Sequence, residues 1–297
     1  MQIKKIGVLG AGAMGTQISL QIASYGYEVS LFAPHPERFR KRLQNHWSLL
    51  RSTGRITPAA VAKWEKKAEE VRLCQDLKKV LAEADLVIEA LPEKLALKRK
   101  MFARMDSLTP PHAILSTTSS SIPISWIEDT IRKKERCLNL HFYQPALLIN
   151  MVDIMAGTQT AAEVMEAARE FVRSIGCVPL LVKKEILGFC FARLLHSIYR
   201  HSLHLWAGGF VDFRDIDRAW MVFTQMDRGP FGLMDAVGLD VLHDLLMVYY
   251  GESKNPQDRP PRTLKDMIDR KELGRKTGKG FYTYPHPEYT RPGFLKR

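Results

Sequence analysis

His141 stands where a side chain could move a proton. It nearly closes the apolar run RCLNLHF at residues 136–142, and Tyr143, Gln144 and Pro145 follow, so the chain turns directly behind the imidazole. Twelve positions on, Asp153 lies inside a second apolar run, NMVDIM. A carboxylate in such a run needs a partner, because an isolated buried charge is strongly unfavourable. An imidazole on the adjoining strand supplies one, and the carboxylate in turn fixes the tautomer and makes the ring a better base. Hydroxyls gather upstream, where Thr117, Thr118, Ser119, Ser120 and Ser121 follow the run HAILS and could hold a substrate oxygen.

A second constellation opens the chain. Gly10, Ala11, Gly12, Ala13, Met14 and Gly15 spell G-x-G-x-x-G between an expected strand (3–9) and an expected apolar helix (16–25). Gly10 suits the tight turn, Gly12 lets a diphosphate approach the backbone, and Gly15 lets the helix pack on the strand. The helix N-terminus then offers free N–H groups to the anion, so a dinucleotide site is expected here. The run YEVSLFA ends at Ala33, where a carboxylate for the ribose hydroxyls of NAD would ordinarily stand. Without that carboxylate a 2′-phosphate is not repelled, and His35, Arg38 or Arg40 could bind it. Both NAD, held by Glu37 or backbone groups, and NADP stay open at this point.

Positioning these groups takes alternating strands and helices. Strand-like runs recur to about Val182, separated by helical patterns, which predicts βαβ units around a largely parallel sheet. Residues 35–70 interrupt the rhythm with two charged amphipathic patterns, broken at Ser52-Thr53-Gly54 and restarted at Thr57-Pro58, and predict an inserted helical hairpin. Downstream the pattern is helical, beginning with GFCFARLLHSIYRHSLHLWAGG and stopping at Gly208-Gly209, with Asp212 capping the next helix. The expected domains are residues 1–183, an α/β Rossmann-type doubly wound sheet, and residues 184–297, all-α. A length of 297 residues suits two such domains.

Composition narrows the classes. No apolar run reaches the roughly 18 residues of a membrane span, and no secretion signal is visible at the N-terminus, so a cytoplasmic protein is expected. The four cysteines lack metal or disulfide spacing. His201 and His204 have i,i+3 spacing but no supporting ligand, so no metal is expected. A net charge of +12 invites a nucleic-acid reading, yet the basic residues spread along helices without an aromatic stripe, and no nucleic-acid or membrane partner is expected. Polyanionic small molecules fit the charge better. Most of the 12 methionines, among them Met101, Met105, Met221, Met226 and Met234, fall at apolar helical positions and are expected in the cores.

GAGAMG, ADLVIEALPEKLALKRKMF, STTSSS, HFYQP, MVDI, GFCFARLL, GPFGLMDAVGLD and KTGKGFYTY occur in the order found in the 3-hydroxyacyl-CoA dehydrogenase family, which the chain resembles over nearly its whole length. The resemblance implies hydride transfer between a nicotinamide cofactor and the 3-hydroxy or 3-keto group of an acyl thioester, with a helical domain that completes the site and forms a homodimer. It makes His141 the general base, Asp153 its orienter at a position where the family has glutamate, and Ser119 the ligand of the substrate oxygen. Glu93, Lys98, Gln144 and Lys276 align with or border cofactor positions, and Arg51 and Arg55 fall in a region that holds CoA phosphates. Several departures stand out. Asp153 is a methylene short, so that closer strands or a water are expected to bridge it to His141. Gln144 and Thr117 replace asparagines, Ala192 replaces an asparagine that positions substrate and base, and Ala33 lacks the carboxylate. They suggest a divergent member, acting on a thioester of CoA or of a carrier protein. The alternative is a catalytically weakened nucleotide-binding or regulatory paralogue.

Overall fold

A computed structural model describes residues 2–52 and 57–296, which divide into two compact units, Met1–Cys190 and Phe191–Arg297. The first is built on an eight-stranded sheet in the order β3-β2-β1-β4-β5-β6-β7-β8. Its strands are β1 (Lys5–Leu9), β2 (Glu28–Phe32), β3 (Arg72–Cys74), β4 (Leu86–Glu89), β5 (Ile114–Thr117), β6 (Cys137–Phe142), β7 (Met151–Ala156) and β8 (Val178–Val182). All neighbours pair in parallel except β6 and β7, which run antiparallel. The central strands β4, β5 and β6 are buried throughout and largely apolar because helices cover both faces. On one face α1 (Ala13–Ala23), α2 (Pro36–Ser52) and α6 (Ala162–Ser174) pack Ile18, Ile22, Phe39 and Phe171 against Ile6, Val8 and Leu140. On the other, α4 (Leu77–Leu81) and α5 (Leu95–Leu108) contribute Leu77, Val80, Phe102 and Met105.

The inserted hairpin is α2 followed by α3 (Pro58–Glu70), joined where Trp47 stacks on Trp64 with centroids 6.3 Å apart. Its turn at residues 53–56, with Arg55, lies outside the described residues, as do the side chains of Arg38 and Arg51. The three-residue β3 is absent from the sequence-based expectation: Arg72-Leu73-Cys74 is too short for a periodic signal and is held by one neighbour, β2.

The second unit holds α7 (Phe191–Ala207), α8 (Phe213–Thr224), α9 (Pro230–Val237), α10 (Leu239–Ser253) and α11 (Arg262–Asp269) around Phe231, Met234, Leu242, Leu246 and Leu264. Asp212 caps α8 as expected, accepting from the Arg214 amide at 2.8 Å. Two buried carboxylates tie the last segment to these helices. Asp217 accepts from the Phe231 and Gly232 amides and the Tyr282 hydroxyl, and Asp235 from the Phe281 and Tyr282 amides and the Tyr284 hydroxyl.

Two sequence expectations need correction. Gly188 and Phe189 are not helical: both have positive φ, 78° and 53°, so α7 starts only at Phe191 and Phe189 packs into the first unit. Met226 is exposed just past the end of α8 instead of buried in a core. Among the described residues no helix is long and apolar enough to cross a membrane.

Candidate active site

The antiparallel pair brings the two predicted proton-handling groups together. His141 on β6 and Asp153 on β7 are directly opposite in register, and side chains of directly opposed residues share one face of the sheet. The distance from His141 Nδ1 to Asp153 Oδ2 is 3.1 Å, so the short carboxylate reaches the ring directly and not through a water. Both residues are buried, Asp153 completely. The Tyr143 hydroxyl donates to the same Oδ2 at 2.5 Å, while Oδ1 is buried with no hydrogen-bond partner among the described residues. A carboxylate can only accept from Nδ1, which assigns the Nδ1–H tautomer and leaves a lone pair on Nε2.

The ring is also held by its faces. Phe189 stacks on it at 4.5 Å and 5°, and Tyr143 meets it edge-on at 4.6 Å and 70°. Phe189 does so from a left-handed backbone, a conformation costing about 1–3 kcal/mol in a non-glycine residue and concentrated at functional sites. The positive φ at Phe189 and the aim of Tyr143 have no sequence signature. The sequence reading missed both residues, although each lies in one of the family motifs.

Of the hydroxyls after β5, Ser120 and not Ser119 faces the base. Ser120 Oγ lies 3.1 Å from Nε2 and, given the tautomer, donates to it. Ser119 is buried; its hydroxyl donates to Glu93 and accepts from the Ile122 amide at 2.8 Å. Thr118 Oγ1 accepts from the Phe142 amide at 3.2 Å, tying this loop to the end of β6. In place of the expected asparagine, Thr117 donates to Glu89 at 2.7 Å. Glu89, which the sequence reading passed over as one residue of an apolar strand, is fully buried and forms an ion pair at 2.9 Å with the buried Lys98. Lys98 also lies 3.2 Å from Glu93. Burial opposes ionisation of Glu93, but the Ser119 hydrogen bond, the Lys98 charge and the Ser121 contacts together hold its carboxyl below the usual range.

The glycine turn fits a diphosphate. Gly10 has φ +110°, and a side chain there would start 2.8 Å from the Ala90 carbonyl. At Gly15 a Cβ would meet the Gly10 carbonyl oxygen at 1.9 Å, so only glycine lets α1 approach β1 this closely. Gly12 is the N-cap residue of α1, which has no side-chain cap and no acidic residue in its first turn; Ala13, Met14 and Gly15 form that turn. First-turn amides have no intrahelical acceptor and carry the positive end of the helix dipole. Arg42, unremarked in the sequence, reaches from α2 to donate to the Ala11 carbonyl beside them. Ala33 is buried with its amide on the Cys74 carbonyl, and His35 faces Glu37 at 3.5 Å.

The remaining sequence candidates are exposed or belong to the second unit. Gln144 is exposed. Lys276, in the second unit, pairs with Asp240 at 2.5 Å. Ala192 sits in the first turn of α7. His204 bonds the Gln257 carbonyl at 2.7 Å.

Comparison with known proteins places these features. Residues 5–186 match the model of the 3-hydroxyacyl-CoA dehydrogenase NAD binding domain, and residues 188–284 that of the 3-hydroxyacyl-CoA dehydrogenase C-terminal domain. The chain is 30% identical over 295 residues to the 5-formyl-3-hydroxy-2-methylpyridine 4-carboxylate 5-dehydrogenase of Mesorhizobium japonicum, covering 97% of this chain and 93% of that protein. It is 30% identical over 286 residues to a 3-hydroxybutyryl-CoA dehydrogenase of Mycobacterium tuberculosis, covering 95% and 99%. Among solved structures, M. tuberculosis FadB2 superposes with a TM-score of 0.85 at 30% identity, covering 96% of this chain and all of that one.

Proposed function

The chain belongs to the 3-hydroxyacyl-CoA dehydrogenase family, and from that premise we propose that it oxidises the 3-hydroxyl, or reduces the 3-keto group, of an acyl thioester. The reading rests on one observation: His141 is held by a buried carboxylate at Nδ1 and presents its Nε2 lone pair to a hydroxyl, that of Ser120. A substrate hydroxyl displacing Ser120 from that position would hand its proton to Nε2. The nicotinamide would supply the hydride acceptor. Asp153 then stabilises the imidazolium without itself taking the proton. The direct His141–Asp153 pair favours an enzyme over a weakened binding paralogue.

For the dinucleotide, Gly10, Gly12, Gly15 and the first-turn amides of Ala13 and Met14 would hold the diphosphate, with Ala11 and Arg42 alongside. The cofactor is NAD or NADP: the matched family model is that of an NAD binding domain, while Ala33 carries no carboxylate to repel a 2′-phosphate, which His35 or Arg40 would bind. The acyl carrier would be CoA or a carrier protein, both polyanions suited to a chain of charge +12. A homodimer is proposed from the resemblance.

The test follows nicotinamide absorbance with acetoacetyl-CoA and either NADH or NADPH, beside equilibrium binding of each nucleotide. Turnover by wild type and none by His141→Ala is expected, with Arg42→Ala weakening the binding of both nucleotides, because Arg42 lies beside the Ala11 turn. Undiminished turnover in His141→Ala would refute the assigned base.

A further inference from the structure

We propose that Tyr143 is a positioning residue for the base, its hydroxyl holding the Asp153 carboxylate in the rotation that aims Oδ2 at His141 Nδ1. This rests on the reading of His141 as the base.

The torsion that swings an aspartate carboxylate is soft and broad. One donor at 3.1 Å from the ring leaves that swing open, and Oδ1 finds no partner among the described residues to close it. Tyr143 closes it by placing a second donor, at 2.5 Å, on the oxygen that already accepts from the imidazole. Tyr143 can do so because it lies one residue past the end of β6, where its hydroxyl reaches across to β7. Its ring edge against the imidazole, at 4.6 Å, fixes the phenol as well as the histidine. The tyrosine thus supplies in this chain the rigidity that a two-donor carboxylate has and a single-donor aspartate lacks.

A drifting carboxylate would leave Nδ1 without a fixed acceptor, and the neutral ring would divide between its two tautomers. Only the Nδ1–H form has a lone pair at Nε2 for the substrate proton.

Tyr143→Phe removes the hydroxyl and keeps the ring. We expect kcat to fall about tenfold, the loss of one hydrogen bond to a charged group, with KM unchanged because the step affected is proton transfer and not binding. In an Asp153→Asn background the same substitution has no further effect, because Tyr143 acts through Asp153. Nitrogen-15 spectra of the cofactor-free chain, with His141→Ala assigning the resonance, should show one neutral tautomer in wild type and both in Tyr143→Phe. Wild-type kinetics together with a wild-type ring spectrum in Tyr143→Phe would overturn the proposal. So would a His141 ring already split between tautomers in the unsubstituted chain, a result that does not depend on the variant folding. An inactive His141→Ala beside a fully active Tyr143→Phe overturns the tyrosine proposal alone, whereas an active His141→Ala overturns the base on which it rests.

Discussion

Replacing Lys98 by methionine tests the energetics beneath the site. The Lys98 ammonium is 1% exposed, lies 3.0 and 2.9 Å from the two Glu89 oxygens and 3.2 Å from Glu93, and Glu89 itself is 0% exposed. At about 3 Å and an effective dielectric of about 20 the attraction of one such pair is roughly 5 kcal/mol. Desolvation of both charges offsets most of this, so the pair adds little net stability. Removing one partner is different: it strands the other charge and typically costs about 3–5 kcal/mol. Two contacts soften the loss here, since the Thr117 hydroxyl and the Leu91 amide each still donate to Glu89 at 2.7 Å. The expected cost of Lys98→Met is therefore near the lower end, about 3 kcal/mol, a large share of the roughly 5–15 kcal/mol that stabilises a domain. Urea unfolding in a background with Trp206 and Trp220 replaced by phenylalanine, followed by fluorescence and by hydrogen exchange of the β4 and β5 amides, reports on the first unit. Glu89→Gln added to Lys98→Met removes the stranded charge and should recover half or more of the loss. A single variant within about 1 kcal/mol of wild type, or a double variant no more stable than the single, would show that Glu89 is not an uncompensated charge.

Two further outcomes follow from other sites. His196 stacks on Tyr249 at 3.8 Å with Nε2 buried and without a partner among the described residues, and burial pushes its ring down from 6.5 to about 4. The unfolded chain therefore binds more protons between these values, so His196 contributes stability above pH 6.5 that is lost as pH falls toward 4. Wild type should lose up to about 3 kcal/mol relative to His196→Phe over that window; parallel melting curves of the two would disprove this. At Gly15, alanine would put a methyl 1.9 Å from a backbone oxygen that cannot move aside, so Gly15→Ala should abolish dinucleotide binding measured by calorimetry, and unaltered affinity would refute the close approach.

The sequence revealed those features whose signal is one-dimensional. Alternating runs marked the strands and the layered fold, and the glycine spacing marked the turn. An aspartate inside NMVDIM announced a buried partner, because a carboxylate in an apolar run is costly unless another group pairs with it. What stayed hidden depends on which way a side chain points. Ser119 and Ser120 are chemically alike and adjacent, and only the turn after β5 decides that one faces Glu93 and the other His141. Arg42 is one cation among several on α2, distinguished only by reaching Ala11. Glu89 reads as the end of an apolar strand until Lys98 is folded against it, and β3 is too short to carry any period.

The antiparallel register of β6 and β7 has a consequence for how this chain can change its length. His141 meets Asp153 because they are opposed across the ladder, so the pair depends on the register of the two strands. An insertion beside the exposed Asn150, beyond the buried Ala146 and Leu147, should leave the dyad assembled. A single residue gained or lost between Met151 and Asp153 would instead present Val152 or Ile154 to the imidazole, since side chains alternate faces along a strand. The tolerance of this segment for added length therefore lies at the exposed end of the loop, and not in the strand residues that carry the dyad.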